Sequence, residues 1–251
     1  MFDLTGDVAV VTGGGGGLGR QFALALAKAG AKVAVCARRK EKLDAVVAEI
    51  KALGGEAMAV VTDVTKVETV AAARDEIVAK WGKTDILVNN AGGGVEAPIE
   101  ELTEEDWRAN RALDFDGVFY CMKYFGQQML KQGYGRVINI ASILGKGGLK
   151  EMPIIAYTSA KGGVVNMTRH AAAEWATKGI TVNALCPGFF ASEANSPEAM
   201  NIMSDMIKVR TPMERPGKEG ELDSTVVYLA AHESSYVTGV ILPCDGGWTC
   251  I

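Results

Sequence analysis

Short, continuously apolar runs alternate along the chain with longer segments of mixed character. Runs that are apolar at every position are typical of strands buried on both faces of a parallel sheet. Seven such strands are predicted, at residues 8–11, 32–36, 57–61, 86–89, 136–140, 181–185 and 240–242. The segments between them predict helices at residues 18–29, 39–53, 66–81, 104–131, 157–178, 197–209 and 218–231.

This alternation predicts an α/β fold, a doubly wound parallel sheet of about seven strands with helices on both faces. We find no linker, repeat or low-complexity tract apart from one glycine run, so residues 1–251 are predicted to form a single domain. A chain of 251 residues with 48% hydrophobic residues suits a domain of this kind and is too apolar for disorder.

Composition and charge exclude several functional classes. The net charge is −4 without a basic stripe, so no nucleic-acid partner is predicted. No apolar run reaches the ~18 residues that a membrane span needs, and the first residues do not resemble a secretory signal. We therefore expect a cytoplasmic protein with no membrane partner. Five scattered cysteines and two histidines lack ligand-like spacing, so we expect reduced thiols and no metal site.

A glycine-rich turn follows the first predicted strand, where residues 12–19 are Thr-Gly-Gly-Gly-Gly-Gly-Leu-Gly. Glycines at this point let the backbone approach a pyrophosphate, which the following helix N-terminus then binds. Two spacings fit the run, G-x-G-x-x-G with Gly14, Gly16 and Gly19, and T-G-x-x-x-G-x-G with Gly13, Gly17 and Gly19. The glycines alone do not decide between them.

Tyr157 and Lys161 lie four residues apart in a predicted helix, where residues i and i+4 share a face. A free phenol titrates near pH ~10, and a nearby ammonium favours the phenolate. The pair is therefore a candidate general acid/base for a group such as a carbinol. The motif is short enough to occur by chance, so its meaning depends on the rest of the chain.

These two motifs and four others follow one another in a characteristic order. They are residues 12–19, Asn89-Asn-Ala-Gly92, Ser142, Tyr157 with Lys161, Pro187-Gly188 and Asp245-Gly-Gly247. In this order and at these spacings they resemble the short-chain dehydrogenase/reductase family along essentially the whole chain. The resemblance implies a single-domain Rossmann fold and an NAD(P)-dependent oxidoreductase that interconverts a secondary alcohol and a ketone.

The resemblance also implies roles for individual residues. Tyr157 would be the acid/base, Lys161 would bind the nicotinamide ribose and favour the phenolate, and Ser142 would hydrogen-bond the reacting carbonyl oxygen. The implied cofactor-binding residues are Gly13, Gly17, Leu18, Gly19, Asp63, Val64, Asn90, Ala91, Gly92, Pro187, Gly188 and Ser192, together with Tyr157 and Lys161. Residues 143–156 would line the substrate pocket, and residues 189–212 would form a lid.

The long predicted helix departs from the family pattern. The family usually has Asn-Leu-x-Gly there, and the asparagine completes a tetrad with serine, tyrosine and lysine. This chain has Asp114-Phe-Asp-Gly117 instead. Asp114 is therefore a candidate catalytic auxiliary, although an ionised carboxylate accepts hydrogen bonds and cannot donate them. A merely structural role for Asp114, or a shifted register that uses Asn110, are the alternatives.

The residues after the second strand bear on the choice of nicotinamide cofactor. An NAD enzyme usually has an acid there for the ribose hydroxyls, whereas this chain has Ala37 followed by Arg38. Arginine can bind a 2′-phosphate instead. The sequence thus favours NADP(H) over NAD(H), with Arg38 as the main contact.

The substrate, a small-molecule alcohol or ketone, is left open. The opening residues 2–6 resemble sugar-acid dehydrogenases such as gluconate 5-dehydrogenases, and methionines at 200, 203 and 206 would suit a hydrophobic hydroxy compound. A 3-oxoacyl-thioester (acyl carrier protein) reductase is the alternative, and a non-catalytic cofactor-sensing scaffold is a third hypothesis. The resemblance also implies a homotetramer, in which the helices at 104–131 and 157–178 pair and the tail at 248–251 makes another contact.

Overall fold

Seven parallel strands form one sheet in the computed structural model, which describes residues 2–190 and 197–251, apart from the side chains of residues 197–202. The strands are β1 (Val8–Thr12), β2 (Lys32–Ala37), β3 (Ala57–Val61), β4 (Ile86–Asn89), β5 (Gly135–Ile140), β6 (Ile180–Pro187) and β7 (Ile241–Cys244). They lie in the order β3-β2-β1-β4-β5-β6-β7, and every neighbouring pair is parallel. The predicted doubly wound sheet is confirmed.

Helices cover both faces of this sheet. In the described part of the chain they are α1 (Gly17–Lys28), α2 (Lys40–Ala52), α3 (Val67–Trp81), α4 (Glu104–Arg111), α5 (Gly117–Gln132), α6 (Ile155–Trp175), α7 (Pro197–Arg210) and α8 (Asp223–Ala230). Short 3-10 turns occur at Ile143–Gly145, Ala176–Lys178, His232–Ser234 and Trp248–Cys250. Of the helices that the structure describes, none combines the length and the apolar character required to cross a membrane.

The core explains why the strands are apolar at every position. In β1, Ala9 and Val11 belong to the core layer formed with α1, α2 and α8, whereas Val8 and Val10 belong to the layer formed with α3, α5 and α6. Successive side chains of a strand point to opposite faces, and here both faces are covered. A polar residue at any of these positions would therefore be buried.

The chain order reverses beside β1, which pairs with β2 on one side and with β4 on the other. The turn after β1 and the loop after β4 therefore leave the sheet next to each other, at the carboxyl ends of the strands. In open parallel sheets, ligands bind in the crevice outside such a reversal. The fold thus places the glycine turn and the Asn89–Gly92 segment at one site.

The helix predicted at 104–131 is present and runs without a break from Glu104 to Gln132, but it is not α-helical throughout. A π-helical segment, Ala112–Asp116, separates α4 from α5. The buried Asp114 lies in this segment, and its carboxylate accepts hydrogen bonds from the Gly93 backbone and the Asn110 side chain. Side-chain periodicity cannot show such a local widening of the helix, because the widening depends on partners outside it. Single π turns are frequent at functional sites.

Two other helix boundaries also differ from the predictions. The helix expected at 218–231 begins at Asp223, because Gly220 has a φ of 88° and cannot continue a right-handed helix. The helix expected at 157–178 begins at Ile155, and its last residues form the 3-10 turn Ala176–Lys178. Tyr157 thus lies within the first turn of α6.

Candidate active site

A cleft of about 850 Å³ opens at the carboxyl ends of the strands, and most of the predicted site residues line it. Those that line it are Gly13, Gly17, Leu18, Arg38, Asp63, Val64, Asn90, Ala91, Gly92, Ser142, Tyr157, Lys161, Pro187 and Gly188. Gly19 and Asp114 are buried behind the lining instead of forming part of it. Ser192 lies outside the described residues.

The backbone of the glycine turn favours one of the two spacings that fit its sequence. Gly13 and Gly17 have φ values of 65° and 51°, in the left-handed region that glycine adopts without strain. A β-carbon at Gly19 would collide with the carbonyl oxygen of Gly13. Gly16, which belongs to the other spacing, is extended at φ 175°, a conformation open to any residue. Gly19 is common to both spacings, and a β-carbon at Gly14 would lie 2.9 Å from the Val11 carbonyl oxygen. The left-handed backbone of Gly13 and Gly17 is therefore what favours T-G-x-x-x-G-x-G.

Thr12 and Asn90 connect this turn to the loop after β4. The Thr12 hydroxyl accepts hydrogen bonds from the backbone N–H groups of Asn90 and Ala91, at 3.0 and 3.1 Å. The Asn90 side chain in turn donates to the carbonyl oxygen of Thr12 at 3.0 Å. These contacts fix the floor of the cleft on both sides of the chain reversal.

The N-terminus of α1, at the edge of this floor, is suited to an anion. Its N-cap residue is Gly16, which has no side chain to cap it, and the first turn contains no acidic residue. The first N–H groups of a helix have no partners within the helix, and they carry a partial positive charge. Because the turn is uncapped and lies at the cleft, the residues present fit a pyrophosphate group.

Tyr157, Lys161 and Ser142 meet at the other end of the cleft. The Lys161 Nζ lies 5.5 Å from the centroid of the Tyr157 ring and donates to the Ile140 carbonyl oxygen at 3.0 Å. Ser142 follows β5, and its Oγ accepts a hydrogen bond from the Leu144 N–H at 3.1 Å. That contact uses the serine as an acceptor, so its hydroxyl hydrogen can still be donated to a ligand. The i, i+4 spacing predicted from the sequence therefore produces the expected proximity.

Asp114 lies behind Lys161 and is fully buried. Its Oδ1 is 3.2 Å from the Lys161 Nζ, and its Oδ2 accepts a hydrogen bond of 2.6 Å from the Asn110 Nδ2. The Gly93 N–H is 3.3 Å from both oxygens. Burial raises the pKa of the Asp114 carboxyl, and the Lys161 charge and the hydrogen bonds from Gly93 and Asn110 act against that rise. Every contact is to a donor, which is what an ionised carboxylate requires.

Asn110 and Asp114, the two candidates for the position of the family's asparagine, are in contact with each other. The Asn110 Nδ2 donates a hydrogen bond to the Asp114 carboxylate and another to the Gly93 carbonyl oxygen at 2.8 Å. The chain thus holds the loop after β4 and the buried lysine with an asparagine and an aspartate together. From the sequence alone, Asn110 and Asp114 are alternatives for the position of the family's asparagine. Their four-residue spacing is nevertheless that of two residues that act as a pair on a helix.

The opposite end of the cleft, beyond the glycine turn, is rich in cations. Arg38, Arg39 and Lys42 line it together with Asp63. The Asp63 carboxylate accepts hydrogen bonds from the Thr65 N–H and hydroxyl at 3.1 and 2.7 Å. Burial raises the pKa of Asp63, but those bonds and the nearby Arg38 charge outweigh it, so the pKa is lowered. Within the described residues, the Arg38 guanidinium has no hydrogen-bond or salt-bridge partner, so its donors are available to a ligand.

Apolar side chains form the wall of the cleft around Tyr157. Ile143, Leu144 and Ile154 are buried there, and Met152 and Phe189 pack against them. The sequence predicts the loop at 143–156 as pocket lining and places Phe189 in the lid at 189–212, but it does not indicate Glu96, an exposed residue that also lines the cleft. No motif includes Glu96, and only the path of the loop after β4 shows its position.

Comparison with known proteins identifies the relatives of this chain. A family model described as short chain dehydrogenase matches residues 7–201. The chain is 38% identical over 240 residues to the 3-oxoacyl-(acyl-carrier-protein) reductase FabG of Staphylococcus epidermidis, covering 95% of this chain and 97% of that protein. It is 36% identical over 250 residues to the gluconate 5-dehydrogenase of Gluconobacter oxydans, covering 99% and 97%. A protein of Beutenbergia cavernae, whose structure was solved with NADP at low occupancy, is 37% identical with a TM-score of 0.91, covering 100% of this chain and 99% of that chain.

Proposed function

Since the chain belongs to the short-chain dehydrogenase family and is therefore an oxidoreductase, we propose that it interconverts a secondary alcohol and a ketone with a nicotinamide cofactor. The observation that carries this proposal is the position of Lys161. Its ammonium is buried beside Tyr157 and is held by the Ile140 carbonyl oxygen and the Asp114 carboxylate. A lysine held so firmly beside a phenol at a cleft is an arrangement suited to proton transfer.

The residues that would hold the cofactor run along the length of the cleft. The uncapped N-terminus of α1 and the turn with Gly13 and Gly17 would bind its pyrophosphate, and Asp63 with Val64 would contact the adenine. Asn90, Pro187 and Gly188 would border the remainder. When bound, a nicotinamide accepts a hydride from the alcohol carbon or supplies one to the ketone carbon.

Residues of the chain itself would supply the proton to the substrate and accept it back. In ketone reduction Tyr157 would give its phenolic proton to the carbonyl oxygen, and in alcohol oxidation the phenolate would take it back. Ser142 would donate a hydrogen bond to the same oxygen, since its Oγ accepts from the Leu144 N–H and its hydroxyl hydrogen is left to donate. The positive charge of Lys161 favours the phenolate over the phenol, and the lysine would also bind the nicotinamide ribose.

Asp114 would act as a positioning residue for Lys161 and would not touch the substrate. Its carboxylate contacts the lysine from behind, and the Asn110 amide and the Gly93 N–H donate to that carboxylate and hold it in place. We propose that this pair takes the place of the family's asparagine. The proton path through the family's asparagine would thus differ here, while Ser142, Tyr157 and Lys161 keep their roles.

We further propose that the cofactor is NADP(H) rather than NAD(H). Ala37 removes the acid that would repel a 2′-phosphate, and the Arg38 guanidinium beside it has no hydrogen-bond or salt-bridge partner among the described residues. Arg39 and Lys42 add positive charge to the same end of the cleft. The Beutenbergia cavernae relative is described as NAD(P) dependent and was solved with NADP bound, so NADP fits the site of that relative.

Sugar acids and 3-oxoacyl thioesters are the two substrate classes that the names of the relatives suggest. A panel of ketones and alcohols, run with NADPH, NADH and their oxidised forms, tests the proposal. Turnover of at least one substrate, faster with the phosphorylated cofactor, is the expected result. Cofactor binding with no turnover of any ketone or alcohol would favour the non-catalytic scaffold and contradict the proposal.

A further inference from the structure

The substrate end of the cleft carries a chemical preference that the family assignment leaves open. We propose that this site takes uncharged, largely apolar ketones and their alcohols and discriminates against anionic substrates such as sugar acids or free 3-oxo acids. This inference rests on the proposed function, because it concerns the substrate of the same site. It is carried by the apolar wall around Tyr157 and by the distribution of charge along the cleft.

The wall around Tyr157 presents an apolar surface to a ligand. Ile143, Leu144 and Ile154 are at most 7% exposed, and Met152 packs against them beside the tyrosine. Phe189 extends the wall, and its ring is held by Trp248 at a centroid distance of 5.2 Å. A polyhydroxylated chain would lose hydrogen bonds to water against such a wall without gaining partners, whereas a hydrocarbon chain would gain from burial.

The cations of the cleft lie at its other end. Among the described residues that line the cleft, the positively charged ones are Arg38, Arg39, Lys42 and Lys161. The first three follow β2, and Ser142 follows β5. In the sheet order β2-β1-β4-β5 these strands are three spacings apart, roughly 14 Å. A carboxylate on a substrate at Tyr157 would therefore be too far from them to form an ion pair.

Lys161 is the cation of the lining that lies beside Tyr157, but its charge is already balanced. Its Nζ is 3.2 Å from the Asp114 carboxylate, which is fully buried. Arg210, beside Trp248, is likewise engaged, since its guanidinium is 2.7 Å from the Glu151 carboxylate. Neither cation is available for an anionic substrate, and an unpaired carboxylate is costly to remove from water.

Glu96 adds a negative charge at this end. It lies on the segment after β4, between Gly94, which borders the Tyr157 side chain, and Ala97, whose N–H donates to the Pro153 carbonyl oxygen at 2.8 Å. This segment therefore runs between Tyr157 and the substrate loop. Lys146 and Lys150 of the substrate loop are exposed and do not line the cleft. Among the described residues that line this end, the Lys161 charge is balanced by Asp114, so the Glu96 carboxylate leaves the lining negative and repels a second anion.

Matched pairs of ketones that differ only in charge test this inference. Ethyl acetoacetate is compared with acetoacetate, and methyl benzoylformate with benzoylformate, in NADPH-dependent reduction at low ionic strength. We expect kcat/KM to be at least about tenfold higher for each ester than for its acid, since the acid must lose water around an unpaired carboxylate.

Two variants and a control separate charge from other causes. Glu96→Gln should lower the ratio of kcat/KM for the ester to kcat/KM for the acid by about threefold or more, because a nearby repulsive charge is removed. Met152→Arg should lower it further by supplying a cation to the wall. Glu101→Gln removes an equal charge from an exposed residue of the same loop that does not line the cleft, and it should leave the ratio unchanged.

The outcomes distinguish this inference from the proposed function. If the acids are turned over as well as the esters or better, the inference is overturned while the oxidoreductase assignment stands. If no member of the panel is reduced with either cofactor, the proposed function fails, and the inference fails with it. An ester preference that is unchanged in both Glu96→Gln and Met152→Arg would also overturn the inference, because charge would not be its cause.

Discussion

Replacing Asp114 by asparagine, the residue that the family usually has there, should destabilise this chain. Both Asp114 oxygens accept hydrogen bonds, Oδ1 facing Lys161 and Oδ2 facing Asn110, and the Gly93 N–H lies between them. An asparagine has one acceptor and one donor group, so its amide NH₂ must face either Lys161 or Asn110, which are both donors. Asn110 cannot turn its own oxygen inward without losing its 2.8 Å hydrogen bond to the Gly93 carbonyl oxygen.

The expected loss follows from these contacts. A buried donor left without a partner costs about 1–3 kcal/mol, and removing one member of a buried ion pair costs about 3–5 kcal/mol. The two costs overlap because they concern the same donors, and Lys161 keeps its hydrogen bond to the Ile140 carbonyl oxygen. We therefore expect a loss of about 3 kcal/mol, which for a chain of this size lowers Tm by about 6–12 °C.

Thermal unfolding at one fixed protein concentration measures this loss. The matched control is Asp116→Asn, which removes the same charge two residues away from a partly exposed pair with Arg111 and should cost below about 1 kcal/mol. In the double variant Asn110→Ala with Asp114→Asn, the opposing donor is gone, so the combined loss should be smaller than the sum of the two. A fall in Tm no larger than that of Asp116→Asn would refute the reasoning.

Two further predictions concern the cofactor and the assembly. Arg38→Ala should weaken NADPH binding by about tenfold or more, since a charged hydrogen bond is worth about 1.5–3 kcal/mol, and should change NADH binding little. Lys40→Ala, which alters a surface lysine paired with Asp44, is the control, and equal losses for both cofactors in titrations would contradict the Arg38 assignment. Light scattering at micromolar concentration should give about four times the chain mass of 26.5 kDa, since apolar Trp107 and Phe119 of α4 and α5 are partly exposed. A monomeric mass would refute the homotetramer.

Much of this architecture is predictable because it depends on local patterns. The apolar strands, the glycine turn and the i, i+4 spacing of Tyr157 and Lys161 each follow from a few neighbouring residues. The choice between the two glycine spacings needed backbone angles, since Gly13 and Gly17 differ from Gly16 in conformation and not in chemistry.

The remainder of the site depends on contacts between distant segments. The π-helical segment exists where Asp114 meets Gly93, which is 21 residues away, and Lys161, which lies on another helix. Glu96 reaches the cleft on the loop after β4, which is held there by the hydrogen bond from the Ala97 N–H to the Pro153 carbonyl oxygen. Neither arrangement leaves a periodic signal in the sequence, so the departure from the family's asparagine was visible while its structural consequence was not.

The role of Tyr157 as the acid/base is the central claim, and Tyr157→Phe tests it most directly. The substitution keeps the ring and its packing but removes the hydroxyl that transfers the proton. With a ketone that the wild-type enzyme reduces, kcat should fall by at least about 10²–10⁴-fold, the usual contribution of general acid/base catalysis. Cofactor affinity and Tm should change little, because the glycine turn and Arg38 are untouched. Near-wild-type turnover by Tyr157→Phe would contradict the account.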